Sequence, residues 1–303
     1  MTQPGAPPSA TAAGTIAWGA DPHRFELHAA HPDVLARAAV VFRPWLLDPH
    51  DGSRPAVRTY SIVEDAAGNG DWQIATSDGS HLLSRPTLAR AVAAVEFLAV
   101  GALAETAAAC TAHAALLARD GRGVLILGPN ESGKSTLACA LWQQGFDLLG
   151  DDTTLIDLDT AMARPAPRRV ALRTTSRDLV GDALWMSIQE APGTDRTDEG
   201  WLFLPDDLGG SRPDAVRIVA CFMLARHGAA PRATTEPLTS SVSAGVSALA
   251  LLPYTSVART HDAGTAIARF APFASRVRTY DLRRAPLAAM TAVVDAVLTH
   301  HAP

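Results

Sequence analysis

The chain has 303 residues, 48% hydrophobic and 19% charged, enough for one large or two modest packed domains. Its net charge of −5 argues against non-specific nucleic-acid binding, which rests on a cationic surface, and no nucleic-acid partner is expected. The three cysteines, Cys110, Cys139 and Cys221, are widely spaced and odd in number; this argues against a disulfide framework, offers no metal-binding pair and fits a cytoplasmic location.

Residues 1–14 are rich in Pro, Ala, Gly and Ser and read as a disordered tail, with no charged region leading into an apolar run as a secretory signal would have. Residues 15–105 read as a small α+β module with a linking helix. Strands are expected over residues 25–28 and 57–63, a helix over 33–42, and a hairpin over 71–84 with Asp78-Gly79 at its turn. A long helix then runs from Ser84 to about Ala109. It carries the most apolar stretch of the chain, but Glu96, Glu105 and several alanines make it a buried helix rather than a membrane span. No internal repeat is present.

Residues 106–303 read as a nucleotide-binding domain. An apolar run at 123–127 is expected to be a buried strand. It leads into Gly128, Pro129, Asn130, Glu131, Ser132, Gly133, Lys134, Ser135 and Thr136, a full G-x-x-x-x-G-K-[ST] phosphate-binding motif. Gly128 and Gly133 let the backbone wrap closely around phosphates, Lys134 reaches the β- and γ-phosphates, and the Ser135 hydroxyl ligates Mg²⁺. The helix expected over 134–144 points its positive end at the anion. Strand, loop and helix thus fall in the order the motif requires.

After the helix, the apolar residues 146–149 run into Gly150-Asp151-Asp152. Behind a phosphate-binding loop, one carboxylate can serve a metal ion and the other can accept a proton from an attacking hydroxyl; by itself the pair is also a common turn. His113 precedes the strand that feeds the loop and suits either a place near the transferred phosphate or a structural hydrogen bond. Residues 161–173 are rich in Pro and Arg, including Arg164, Arg168, Arg169 and Arg173. Residues 186–213 lack periodicity and read as a mobile acceptor-binding loop. Strands are expected over 218–224 and 277–282 and helices over 240–252, 263–270 and 286–298; His261, His300 and His301 have no metal-ligand spacing.

Residues 113–157 resemble the HPr serine kinase/phosphatase superfamily, in particular its HPr-kinase-like branch. The shared pattern is a His, an apolar strand, a loop with Gly-Lys-Ser, one helix, a Gly-aromatic step and a Leu-rich strand into Asp-Asp. Residues 278–282 with the apolar helix after them also look like the end of such domains. The resemblance implies an α/β P-loop kinase domain of the phosphoenolpyruvate carboxykinase-like type, and phosphoryl transfer from ATP with Mg²⁺ to a hydroxyl, often a serine. By position it makes Asp151 the candidate general base, Ser135 a metal ligand, Asp152 an aid to the metal or to the acceptor hydroxyl, with the division between the two carboxylates left open, His113 a neighbour of the transferred phosphate, and Arg173, ahead of Arg168, the assisting arginine. It also raises the expectation of a homo-oligomer. The chain departs from the family pattern at Thr136, where HPr kinases carry an acidic residue, and at Asn130 and Glu131, which are more like transporter ATPases. It also lacks a clear copy of the loop that engages HPr. These departures bear on HPr as substrate and on the reverse phosphatase reaction, not on nucleotide binding.

The expected activity is therefore an ATP- and Mg²⁺-dependent kinase whose acceptor is a serine of a protein or ribosomal peptide, with no membrane partner. The other readings are a small-molecule hydroxyl kinase, a nucleotide-binding regulatory or scaffold protein without transfer, and a simple ATPase.

Overall fold

The computed structural model describes residues 14–20, 22–51, 53, 55–65, 70–77, 82–106, 110–224 and 239–300. The chain divides into two compact units, Met1–Leu103 and Ala104–Pro303. Residues 1–13 of the expected tail and the expected turn at Asp78-Gly79 lie outside the described residues, and Gly14 already belongs to a strand.

In the first unit, β1 (Gly14–Ala20) and β2 (His23–Ala29) form an antiparallel pair, followed by α1 (Pro32–Val41). Then come β3 (Leu46–Leu47), β4 (Arg58–Glu64), β5 (Trp72–Thr76), β6 (Leu82–Arg85) and α2 (Leu88–Glu105). The six strands are ordered β3-β1-β2-β4-β5-β6, with β2 and β4 parallel. Alternating side chains make the core: Trp18, Phe25 and Tyr60 point from the sheet to one side, where Trp18 stacks on Phe42 with ring centroids 4.2 Å apart. The strand expected at 57–63 is present as β4 and is half-buried. Its inward residues Tyr60 and Ile62 are covered.

In the second unit, β7 (Cys110–Ala112), β8 (Ala114–Arg119) and β9 (Arg122–Leu127) lead to α3 (Lys134–Gln143). Next are β10 (Asp147–Gly150), β11 (Thr154–Asp157), β12 (Met162–Pro165), β13 (Val170–Arg173), α4 (Arg177–Val180) and α5 (Asp182–Glu190). After β14 (Asp195–Arg196) and β15 (Gly200–Phe203) come β16 (Val216–Leu224), β17 (Thr239–Val242), α6 (Ala244–Leu251), α7 (Val257–Thr260), α8 (Ala263–Arg276), β18 (Arg278–Leu282) and α9 (Leu287–His300). The main sheet runs β10-β8-β9-β16-β12-β11-β7, with β18 beside β16 and β17 beside β18. Within this sheet, among the described residues, only the β9–β16 and β16–β18 pairs are parallel, so the unit is a mixed α/β arrangement.

The sheet is buried on both faces. Ala115, Leu117, Val124 and Ile126 join one core with Leu137 and Leu141 of α3 and Val294 of α9. Leu116, Ala118, Leu125 and Leu127 join the other with Leu251, Phe270 and Phe273 from α6 and α8. Strict alternation along β8 and β9 sends successive residues to opposite layers. It also explains why β8 reads poorly in sequence: a strand covered on both sides shows a continuous apolar run, Ala-Ala-Leu-Leu-Ala, without polar alternation. What fixes it as a strand is the hairpin to β9, closed at Asp120 (φ +53) and Gly121 (φ +72), the conformation that Asp-Gly favours.

Residues 186–213 are not an irregular loop: they include the end of α5, both β14 and β15, and a 3₁₀ turn at Pro205–Leu208. With β13 these strands form a separate sheet, β13-β15-β14. The helix expected over 240–252 is shorter, because Thr239–Val242 pairs with β18 and Ser243 then caps α6. The hydroxyl and β-branched residues there follow the available sheet edge rather than the helix behind them.

Candidate functional site

The loop from Gly128 to Gly133 joins the carboxyl end of β9 to the first turn of α3. Gly128 has φ +155 and no room for a side chain. A Cβ there would lie 2.8 Å from Ser132 Oγ and 3.0 Å from the Leu224 carbonyl oxygen. Gly133, at φ +97, caps α3, and Glu131 takes φ +64 despite its side chain. Such a run of left-handed residues turns backbone N–H groups into a concave anion-binding surface. Asn130 and Glu131 are exposed at the tip of the loop.

Lys134 folds back along this loop, its Nζ donating to the carbonyl oxygens of Gly128 (3.0 Å) and Pro129 (3.1 Å). Burial lowers its pKa, opposed by the charges of Asp151 and Asp152. Thr136 is buried, and its Oγ1 lies 2.7 Å from Ser176 Oγ. Nothing in the sequence marked Ser176.

Asp151 and Asp152 occupy the turn between β10 and β11, where Asp152 adopts φ +65. Asp151 is 2% exposed. Its Oδ2 accepts a hydrogen bond from Ser135 Oγ at 2.7 Å, and its Oδ1 is buried with no hydrogen-bond partner among the described residues. Burial, reinforced by repulsion from Asp152, pushes its pKa up against the Ser135 hydrogen bond and the charges of Arg168 and Lys134.

Asp152 has the opposite electrostatics. Burial works to raise its pKa, but the His113 hydrogen bond and the charges of Arg168, His113 and Lys134 together hold it well below the usual carboxylate range. His113 Nδ1 lies 2.9 Å from Asp152 Oδ1 and 3.0 Å from the Asp152 carbonyl oxygen. Facing two acceptors, Nδ1 is protonated and donates, and among the described residues Nε2 is buried without a hydrogen-bond partner. Arg168 Nη1 pairs with Asp152 Oδ2. The adjacent carboxylates are therefore pushed apart by their surroundings, one toward neutrality and one firmly ionised.

The loop, Lys134, Ser135, Asp151, Asp152 and His113 are brought together as their spacing in the sequence suggests. Two details differ from expectation. The carboxylate on Ser135 is that of Asp151, not Asp152, because Asp152 is drawn aside by His113 and Arg168. The arginine at the acid pair is Arg168, not Arg173, whose Nη1 pairs with Glu131 and whose Nη2 lies 3.0 Å from Glu199 Oε2 on the exposed rim. Glu199 also went unmarked, since an isolated exposed acid carries no sequence signal.

An orphaned buried carboxylate oxygen beside a serine hydroxyl is a hard-oxygen arrangement that fits Mg²⁺, and Ser135 and Asp151 are the residues that would hold it. The loop with Lys134 suits a polyphosphate.

No family model matches the chain, and no curated protein matches it. Among solved structures, the Hpr(Ser) kinase/phosphatase from Coxiella burnetii is 18% identical in a match covering 63% of this chain and 99% of that chain, with a TM-score of 0.34. A score at that level carries no argument about fold or activity. No helix among the described residues is long and apolar enough to cross a membrane.

Proposed function

We propose that this chain is an ATP- and Mg²⁺-dependent kinase that transfers the γ-phosphoryl group to a hydroxyl, with a serine of a protein or ribosomal peptide as acceptor. The observation that carries the reading is the split acid pair: Asp151 buried on the Ser135 hydroxyl, Asp152 ionised between His113 and Arg168. Bound Mg²⁺ and ATP would supply metal charge and a transferable phosphoryl group. Lys134 would leave the loop carbonyls for the phosphates, and Ser135 and Asp151 would hold the metal. Asp152 is then the carboxylate left for the acceptor: it would orient the hydroxyl and take its proton as the oxygen attacks in line. Arg168 would keep Asp152 in place and offset charge on the transferring group. This assigns the base to Asp152 and the metal to Asp151, where the family pattern makes Asp151 the candidate base and leaves the division open.

The test is incubation of the protein with Mg²⁺, γ-labelled ATP and serine-containing peptides. Label in acid-stable phosphoserine supports the kinase. Label released only as inorganic phosphate makes the protein an ATPase, and ATP binding without turnover makes it a regulatory or scaffold protein.

A further inference from the structure

Three arginines in a row of six residues meet three different surroundings. Arg168 pairs with Asp152 in the site, and Arg173 pairs with Glu131 of the loop and with Glu199. Between them Arg169 points away from the site and is 1% exposed, among the largest fully buried side chains of the protein. Its Nη1 donates to Asp195 Oδ2 at 2.6 Å and to the Gly193 carbonyl oxygen at 2.9 Å.

The receiving turn is itself fixed. Gly193 N–H donates to Asp207 Oδ2 at 2.9 Å, so the residue is held through both its N–H and its carbonyl. A Cβ on Gly193 would lie 2.3 Å from Asp207 Oδ2 and 2.9 Å from Leu204 Cδ1, so any larger residue there must displace both side chains. Asp195 opens β14, and Asp195 and Ala171 of β13 both face Leu202 of β15 across the small sheet. The Arg169–Asp195 pair thus ties the entry to β13 across β15 to β14. The same sheet carries Arg173 opposite Gly200, next to Glu199.

Stability gives a weak reason for such a pair. Removing two charges from water is costly, and apolar replacements of buried ion pairs are often neutral or stabilising. Placement gives a stronger one, because the pair fixes the backbone at the residue adjoining Arg168.

We propose that Arg169 and Asp195 are positioning residues: a buried lock that sets β13 so that Arg168 lies on Asp152. This rests on the phosphotransferase reading for its consequence in catalysis, but not for the geometry it asserts. Arg169 adjoins Arg168 in the chain and is held at Gly193 and Asp195, so loss of the lock is expected to act through Arg168.

The test compares the wild type, Arg168→Gln, the paired apolar variant Arg169→Met/Asp195→Leu, and the variant combining all three. The first readout needs no activity: the rate at which Arg168 reacts with phenylglyoxal, followed by peptide mapping, with exposed Arg173 as reference. In the paired apolar variant Arg168 is expected to react several-fold faster while thermal unfolding stays cooperative and close to wild type. The second readout is turnover of MgATP with a peptide acceptor. It is expected to fall roughly tenfold at unchanged ATP affinity, a typical loss for a group that orients another at a site. It should fall no further when Arg168→Gln is added, since effects that act through one group are not additive. If the paired variant does not fold, Asp195→Asn, which keeps the shape and loses the charge, takes its place in both readouts. An Arg168 reaction rate equal to wild type in a folded lock variant overturns the proposal. A wild type without turnover, in which Arg168 is still released by the lock variant, overturns the kinase reading and leaves the lock standing.

Discussion

The Ser135 hydroxyl donates to Asp151 Oδ2 at 2.7 Å, tying the first turn of α3 to the turn that follows β10. That contact brings together the motif's serine and one member of the acid pair and leaves a buried carboxylate oxygen without a partner among the described residues. A buried anionic oxygen in that state is unfavourable until a cation or proton reaches it. Asp151→Asn is therefore expected to remove Mg²⁺-dependent stabilisation. Wild type should gain melting temperature on adding Mg²⁺ with ATP, and the variant should not. Differential scanning calorimetry with and without Mg²⁺ makes the comparison.

Lys134 makes its hydrogen bonds to loop carbonyls that a bound polyphosphate would compete for. Lys134→Met should leave the fold intact and weaken ATP binding by about tenfold or more, equivalent to about 1.4 kcal/mol or above. Isothermal titration calorimetry reads the affinity directly.

Gly128→Ala should act on the loop alone. The added Cβ meets Ser132 Oγ and the Leu224 backbone, so the loop must shift, and the conformation is strained for any other residue. The expected outcome is lost nucleotide affinity with a circular dichroism spectrum like that of wild type.

The two arginines should separate cleanly. Arg173 is half exposed and its ion pairs lie on the surface, so Arg173→Gln should change stability by less than about 1 kcal/mol. Arg168→Gln releases the charge at Asp152 and should cause the larger loss of kcat.

The pH dependence of stability follows from Asp152. Its folded pKa lies below the unfolded value of about 3.9, so the folded chain binds fewer protons than the unfolded one. Its stabilising contribution is present above that value and is lost as the pH falls below it. Asp152→Asn should lower stability at neutral pH and flatten the acid limb of a chemical denaturation series.

Much of the second unit was legible in sequence because its signals are local. The loop motif, the strand before it and the helix after it are fixed by glycine positions and by apolar runs that burial on both sheet faces demands. Other features were not legible, for a common physical reason. Thr239–Val242 is a strand only because β18 lies beside it, and residues 191–203 are ordered through Arg169, Asp195 and Asp207, which are distant in sequence from what they hold. The division of labour between Asp151 and Asp152 likewise depends on His113 and Arg168 arriving from elsewhere in the chain. Adjacent carboxylates are equivalent on paper and become different only when the fold gives them different neighbours.

The most direct measurement is transfer of label from γ-labelled ATP to a serine-containing peptide by wild type, Asp151→Asn and Asp152→Asn, alongside ATP binding by each. The expected result is acid-stable phosphoserine formed by wild type alone, with ATP still bound by Asp152→Asn. Phosphoserine formed by Asp152→Asn at the wild-type rate, or no phosphoserine from wild type with any acceptor while ATP binds, would contradict the assignment.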